Sequence, residues 1–142
     1  MNVNTILNLK GRDIVSASPS DLIGDLTKTF AEKKIGSILI LKDGAVKGIV
    51  SERDVVKAIG QRGAEILHQP ASRIMTKNVI SCQGSDTIDM IMGVMTSGRF
   101  RHVPVVENDQ LIGIISIGDV VQQRIAEAEL EASSMRSYIA TG

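Results

Sequence analysis

Hydrophobic and polar positions along the chain follow one plan, and the plan is written twice. Asp13 to Ala17 is a short apolar run with strand character. Ser18-Pro19-Ser20-Asp21 then supplies a turn and a helix start, with Ser20 as N-cap and Asp21 favouring the dipole. Leu22, Ile23, Leu26 and Phe30 recur at helical spacing, so this helix is predicted to run to about Lys33. Ile35 to Leu41 is β-rich, Lys42-Asp43-Gly44 is a turn, and Val46 to Val50 is a second strand, which makes a hairpin. A helix follows from Asp54 to Ile59. After a joining segment, Gly60 to Pro70, with an extra helical turn at Ala64 to Leu67, the order returns. Val79 to Cys82 is the strand, Ser85 caps a helix reaching about Thr96, Phe100 to Glu107 and Leu111 to Ser116 form the hairpin, and Asp119 opens the last helix. Met90, Met92 and Met95 lie where that second unit's first helix turns its apolar face, and are expected in the core. Residues 4 to 10 alternate poorly and read as a helical lead-in or an edge segment.

The two units align without a gap. Gly48-Ile49-Val50-Ser51-Glu52-Arg53-Asp54 returns as Gly113-Ile114-Ile115-Ser116-Ile117-Gly118-Asp119, 65 positions later (113 − 48). At the same offset Ser16 meets Ser81, Asp21 meets Asp86, Ile38 meets Val103 and Val55 meets Val120. Such a register over roughly fifty residues is an internal repeat and governs the fold class. The expectation is an α/β (α+β) domain of two units, each a three-stranded sheet with two helices, packed on one another. The final helix, Ile117 to Ile139, carries Val120, Val121, Ile125, Ala128, Ala132, Met135 and Ile139 in a stripe, with Glu127, Glu129, Glu131, Arg124 and Arg136 on other faces. Packing back on its own domain and a subunit interface are equally compatible with that stripe.

Composition narrows the function. At 142 residues with 43% hydrophobic content the chain fits one domain with a sizeable core. Its longest apolar run, Ser37 to Leu41, is far short of the roughly 20 residues of a spanning helix, and no apolar signal segment is expected at Asn2 to Lys10. One cysteine, Cys82, leaves no internal disulfide, which points to a reducing cytoplasm. Sixteen basic and sixteen acidic side chains cancel, and with no Trp, one Tyr and two Phe there is little surface for stacking bases. Nucleic acid is therefore not the expected partner.

The chemistry concentrates in the duplicated motif. A strand that breaks at a serine and opens a helix presents unpaired N–H groups and the positive end of the dipole, where a phosphate can sit beside the hydroxyl. An aspartate three residues on either caps the helix or accepts hydrogen bonds from a vicinal diol such as a ribose. His68 and His102 are far apart in sequence and show no metal-ligand spacing with Cys82. A Ser116, His102 and Asp119 set lacks an oxyanion hole or nucleophile elbow, and P-loop and Gly-x-Gly-x-x-Gly patterns are absent, so an enzyme is not expected.

Two copies of strand, helix, strand, strand, helix, each ending in Gly-hydrophobic-x-Ser-x-x-Asp, resemble the cystathionine-β-synthase (CBS) domain pair, or Bateman module, over about residues 8 to 123. The resemblance implies tandem repeats with pseudo-two-fold symmetry. Its divisions here would be 8–60 for the first repeat, 61–72 for the linker, 73–123 for the second and 124–142 for a C-terminal helical extension. It implies a stand-alone regulatory module that binds adenosine ligands (AMP, ADP, ATP or NAD) in clefts between the repeats, and a likeness to homodimers. Carried over, Asp54 and Asp119 would take ribose hydroxyls at two sites, with Ser51 and Ser116 near phosphate or ribose. Val15, Ile35 and Gly36 would lie opposite Asp119, and Ile80, Phe100 and Arg101 opposite Asp54. Gly118 and Ser37 complete the set of expected contacts. Arg101 and His102 precede Pro104, with Arg99 nearby, as phosphate-meeting cations; Gly36, Ser37 and Leu39 replace these in the first repeat. On that ground the Asp119 site is expected to be the better one, with Arg53 or Lys34 supplying cations to Asp54. The alternative is a dimerisation or interaction scaffold whose ligand binding is weak or lost, and the protein target stays open.

Overall fold

The structure, a computed structural model, describes residues 1–141. Its elements are α1 (Val3–Lys10), β1 (Ser16–Ala17), α2 (Ile23–Lys33), β2 (Ser37–Lys42), β3 (Ala45–Ser51), α3 (Glu52–Arg62), two 3-10 turns (Ala64–His68 and Ala71–Arg73), α4 (Ile88–Gly98), β4 (His102–Glu107), β5 (Gln110–Ser116) and α5 (Ile117–Thr141). The lead-in is thus a helix, started by a reciprocal capping box between Asn2 and Thr5.

The duplicated sequence gives a duplicated geometry. Ser37 pairs with Ser51 in the first hairpin and His102 with Ser116 in the second, and each ladder slips once, at Ile40/Leu41 and at Val105/Val106. Both hairpin turns use left-handed residues, Asp43-Gly44 in one and Asn108-Asp109 in the other. Helices α2 and α4 both end on a left-handed basic residue, Lys34 and Arg99.

The units differ at their first strand, and one residue explains it. β1 runs parallel to β2, pairing Ser16 with Leu39 and Ala17 with Ile40, and the Leu39 amide donates to the Val15 carbonyl. The matching position in the second unit is Pro104, which has no N–H to donate. There the predicted Val79 to Cys82 strand is reduced to a single bridge, Cys82 with Val105, held by Cys82 N–H to Pro104 O (2.9 Å) and Val106 N–H to Cys82 O (2.8 Å). The sheets are therefore of three strands and two.

Three local expectations shift. Neither Ser20 nor Ser85 caps a helix: the carboxylates of Asp21 and Asp86 turn back to accept from the amides of Ser18 and Gln83, both at 2.8 Å, which moves the helix starts downstream. α4 is capped by Thr87, and α2 begins after Leu22 with its Ile23 amide donating to Gln69 O. Of the three methionines, Met95 is buried and Met92 packs against the core, but Met90 is exposed.

Two hydrophobic clusters form the interior, and each is completed by the segment before the other repeat. Ile23, Leu26, Phe30, Ile38, Ile40, Val50 and Val55 pack with Ile66 and Ala71 of the connection. Ile88, Ile91, Met95, Val103, Val105, Ile115 and Val120 pack with Val3, Ile6 and Leu7 of α1. The fit of α1 is tight: a Cβ on Gly113 would lie 2.6 Å from Leu7 Cδ2.

Candidate functional site

Each duplicated motif folds as a capped helix start. In the first, the Ser51 amide and hydroxyl both donate to Asp54 Oδ2 (2.8 and 3.0 Å), and the Asp54 amide donates to Ser51 Oγ (3.2 Å). In the second, the Ser116 amide donates to Asp119 Oδ2 (2.9 Å) and the Asp119 amide to Ser116 Oγ (3.1 Å). The helices therefore begin at Glu52 and Ile117, with each aspartate in the third helical position. The capping role takes one oxygen of each carboxylate. Among the described residues no hydrogen bond is made to Oδ1 of Asp54, which is half-buried.

The surroundings of the two aspartates differ. A cleft of about 500 Å³ is lined by Gly36, Ile49, Ser51, Glu52, Arg53 and Asp54 from the first repeat and by Thr76, Asn78, Val79, Ile80, Gly98, Arg99, Phe100, Arg101 and His102. It brings together Asp54 with the Ile80, Phe100 and Arg101 expected opposite it. It also holds Arg99 and His102, which the sequence reading had counted toward Asp119. Gly36, expected opposite Asp119, lines the Asp54 cleft as well, and a Cβ there would stand 3.8 Å from His102 Cε1.

Asp119 has a different neighbour. Lys10 Nζ, at the end of α1, lies 2.6 Å from Asp119 Oδ2 and 3.0 Å from Ile114 O. Lys10 of the first repeat is matched in the second by Met75, whose sulfur packs at Gly48, so Asp54 has no such cation on that side. Burial pushes the Asp119 carboxyl up, but the Lys10 and Ser116 hydrogen bonds and the Lys10 charge outweigh it and hold the group below its ordinary value. Gly118 is exposed beside Ser116, and Val15 and Ile35 pack against the first core. Ser37 and Pro104 are buried strand residues and are not among the cleft's lining.

His102 stands between the two motifs. Burial lowers its pKa, the Lys10 charge lowers it further and Arg101 adds to this, while Asp119 pulls the other way. The imidazole is thus neutral at pH 7 and offers one donor to the cleft. An anion beside it would favour the charged ring.

The sequence reading missed Gly98, Ile49, Glu52, Thr76, Asn78 and Val79. The repeat register carried the signal for the last three: Ile80 was placed by its match to Val15, and the segment before it follows at the same offset. Among the described residues no group of three or more His, Cys, Asp or Glu side chains gathers as a metal site. Cys82 is buried, and burial with the Asp86 charge pushes its thiol up to about 12, so it is a packing residue and no nucleophile. No helix of the described residues is long and apolar enough to cross a membrane.

Comparison with known proteins follows the duplication. A family model for the CBS domain matches residues 8–61 and again residues 71–125. A crystal structure of a CBS-domain containing protein from Agrobacterium tumefaciens is 50% identical, with a TM-score of 0.85 over 87% of this chain and 99% of that one. A protein with CBS domains from Burkholderia ambifaria is 36% identical at a TM-score of 0.85, covering 89% and 95%. The CBS domain pair of protein MJ0100, solved in complex with 5′-methylthioadenosine and S-adenosylmethionine, shares the fold at a TM-score of 0.79 and 23% identity over 89% and 98%. Among curated sequences, a mitochondrial CBS domain-containing protein of Arabidopsis thaliana is 28% identical over 99% of this chain and 72% of its own length.

Proposed function

The chain belongs to the CBS-domain family, and from that premise we propose that it is a regulatory module, not an enzyme, that binds an adenosine nucleotide between its two repeats at Asp54. The observation that carries this reading is the cleft itself. It sets a carboxylate with one free oxygen across from apolar, aromatic and cationic side chains of the other repeat. Its volume, about 500 Å³, is in the range of small-molecule sites, roughly 300–1,000 Å³.

Each part of such a ligand has a partner of matching chemistry. Asp54 Oδ1 accepts from the ribose diol in a charge-assisted hydrogen bond, while Oδ2 is held still by Ser51. Ile80 and Phe100 offer an apolar wall and a ring face to adenine. Arg53, Arg99 and Arg101 supply three positive charges for phosphates, and Glu52 opposes them on one side, which limits how much negative charge is favoured. AMP, ADP, ATP and NAD share the adenosine and differ in what meets the arginines. That the MJ0100 pair was solved with two adenosine compounds supports the class of ligand.

The Asp119 motif, with Ser116, Gly118, Val15, Ile35 and Ser37, is proposed as a second and weaker site, because the Lys10 ammonium on Oδ2 already offsets the charge of the Asp119 carboxylate. This reverses the order read from sequence. We further propose a homodimer, supported by the exposed Val56 of α3, Met90 of α4 and the apolar residues along α5, and residence in a reducing compartment such as the cytoplasm, where the buried Cys82 thiol is stable. Equilibrium dialysis against AMP, ATP, NAD and S-adenosylmethionine tests the reading. Saturable binding of at least one is expected, and no binding of any at millimolar ligand would contradict it and leave the scaffold alternative.

A further inference from the structure

Helix α5 leaves the body of the protein after its first two turns. Val120 and Gln123 are buried, and Arg124 ties the helix to α4 through Asp89 (3.3 Å) while also meeting Glu127 (3.2 Å). From Val121 onward the apolar side chains of the stripe face outward. Val121, Ile125, Met135 and Ile139 are 47, 53, 57 and 72% exposed, Ala128 is exposed and Ala132 is half-buried. Those six positions are spaced four, three, four, three and four apart. That is the heptad spacing of a coiled-coil seam, with Ile125, Ala132 and Ile139 at a and Val121, Ala128 and Met135 at d. A helix of this stretch spans about 27 Å.

The flanking charges identify the occupant. Arg124 and Glu131 fall at g, and Glu129 and Arg136 at e. In a parallel pair of identical helices a g residue faces the e residue five positions on in its partner. Here that gives Arg124 with Glu129 and Glu131 with Arg136, both attractive, and twice over by symmetry. Like layers also stack on like, with alanines meeting alanines and letting the helices approach closely. Antiparallel, the same apolar layers would set Glu129 against Glu129 and Glu131 against Glu131. From this juxtaposition we infer that residues 121–139 form a parallel two-stranded coiled coil with a second copy of this chain. Leu130 lies at the outer f position and is not covered by the seam.

The inference names the surface through which the proposed homodimer forms, and it uses none of the ligand chemistry. A parallel seam fixes both modules at the same end of the coil, so a change at either cleft is reported at one place. Three variants test it on the full chain. Ala132→Cys should give a covalent dimer on mild oxidation, since identical a positions face each other, while Ser133→Cys on the outer face should not. Glu131→Arg should weaken the dimer several-fold in sedimentation equilibrium. Adding Arg136→Glu should restore it, because the pair is then reversed but intact. Cross-linking of Ala132→Cys with rescue by the double charge swap is the expected result. A full-length monomer at high micromolar concentration would overturn both the seam and the homodimer. A dimer in which Ala132→Cys fails to cross-link and the double swap does not recover would overturn the seam alone.

Discussion

Asp54 and Asp119 occupy the same position of one motif, and the residues that face them decide what each can do. Met75, packed at Gly48, and Lys10, paired with Asp119, stand at matched places of the repeat, and Asp54 sits beside an open cleft while Asp119 carries an ion pair. Two measurements follow at this scale. Arg101→Ala should weaken ATP more than AMP, and adenosine least, and the loss should shrink as salt rises, since partly exposed charge pairs are screened; calorimetry across the three ligands at two salt concentrations reads it, and equal losses would place Arg101 away from the phosphates. The lowered Asp119 carboxyl contributes stability that is present above its unfolded pKa and is lost as pH falls through the folded one. Chemical denaturation of the Asp119→Asn variant should therefore show a flatter acid limb below pH ~4 than the parent chain. The pairing of Asp54 with Ile80, Phe100 and Arg101 was expected from the family resemblance, which sets residues of one repeat opposite the motif of the other. That Lys10 meets Asp119 was not, because the contact depends on Val3, Ile6 and Leu7 of α1 docking into the other unit's core.

The elements were read correctly in kind wherever the hydrophobic period was strong, as in both hairpins and the helices between them. Their ends moved where side chains compete for backbone amides, which periodicity does not report: Asp21 and Asp86 displaced the predicted serine caps. The shortened strand at Cys82 follows from Pro104, a residue visible in the sequence whose missing donor acts on a neighbouring strand. α1 is the element whose importance most exceeds its sequence signal. Leu7→Ala would open a cavity in the second core and should cost about 2–5 kcal/mol in denaturant unfolding. A value within error of zero would mean that α1 is not part of that core. Ser51→Ala removes one half of the α3 capping box and should cost about 1 kcal/mol while freeing Asp54 to rotate.

At the scale of the whole molecule the repeat explains why a chain of modest size carries a built cleft. Two units each bury one face on their own helices, exchange short segments to complete their cores, and meet along β3 and β5, so that the start of one hairpin is brought across from the helix N-terminus of the other. The cleft belongs to neither repeat alone. That was expected from the family resemblance that the duplication carries, whereas the proposed order of the two motifs rests on contacts between segments far apart in sequence. The most direct test is calorimetry of AMP and ATP with the parent chain and with folded Asp54→Ala and Asp119→Ala variants. Asp54→Ala is expected to weaken the tighter site by about 1.5–3 kcal/mol, a factor of roughly ten to a hundred and fifty, and Asp119→Ala to leave that site nearly unchanged. Unchanged affinity in Asp54→Ala, with the loss appearing in Asp119→Ala, would contradict the proposed order.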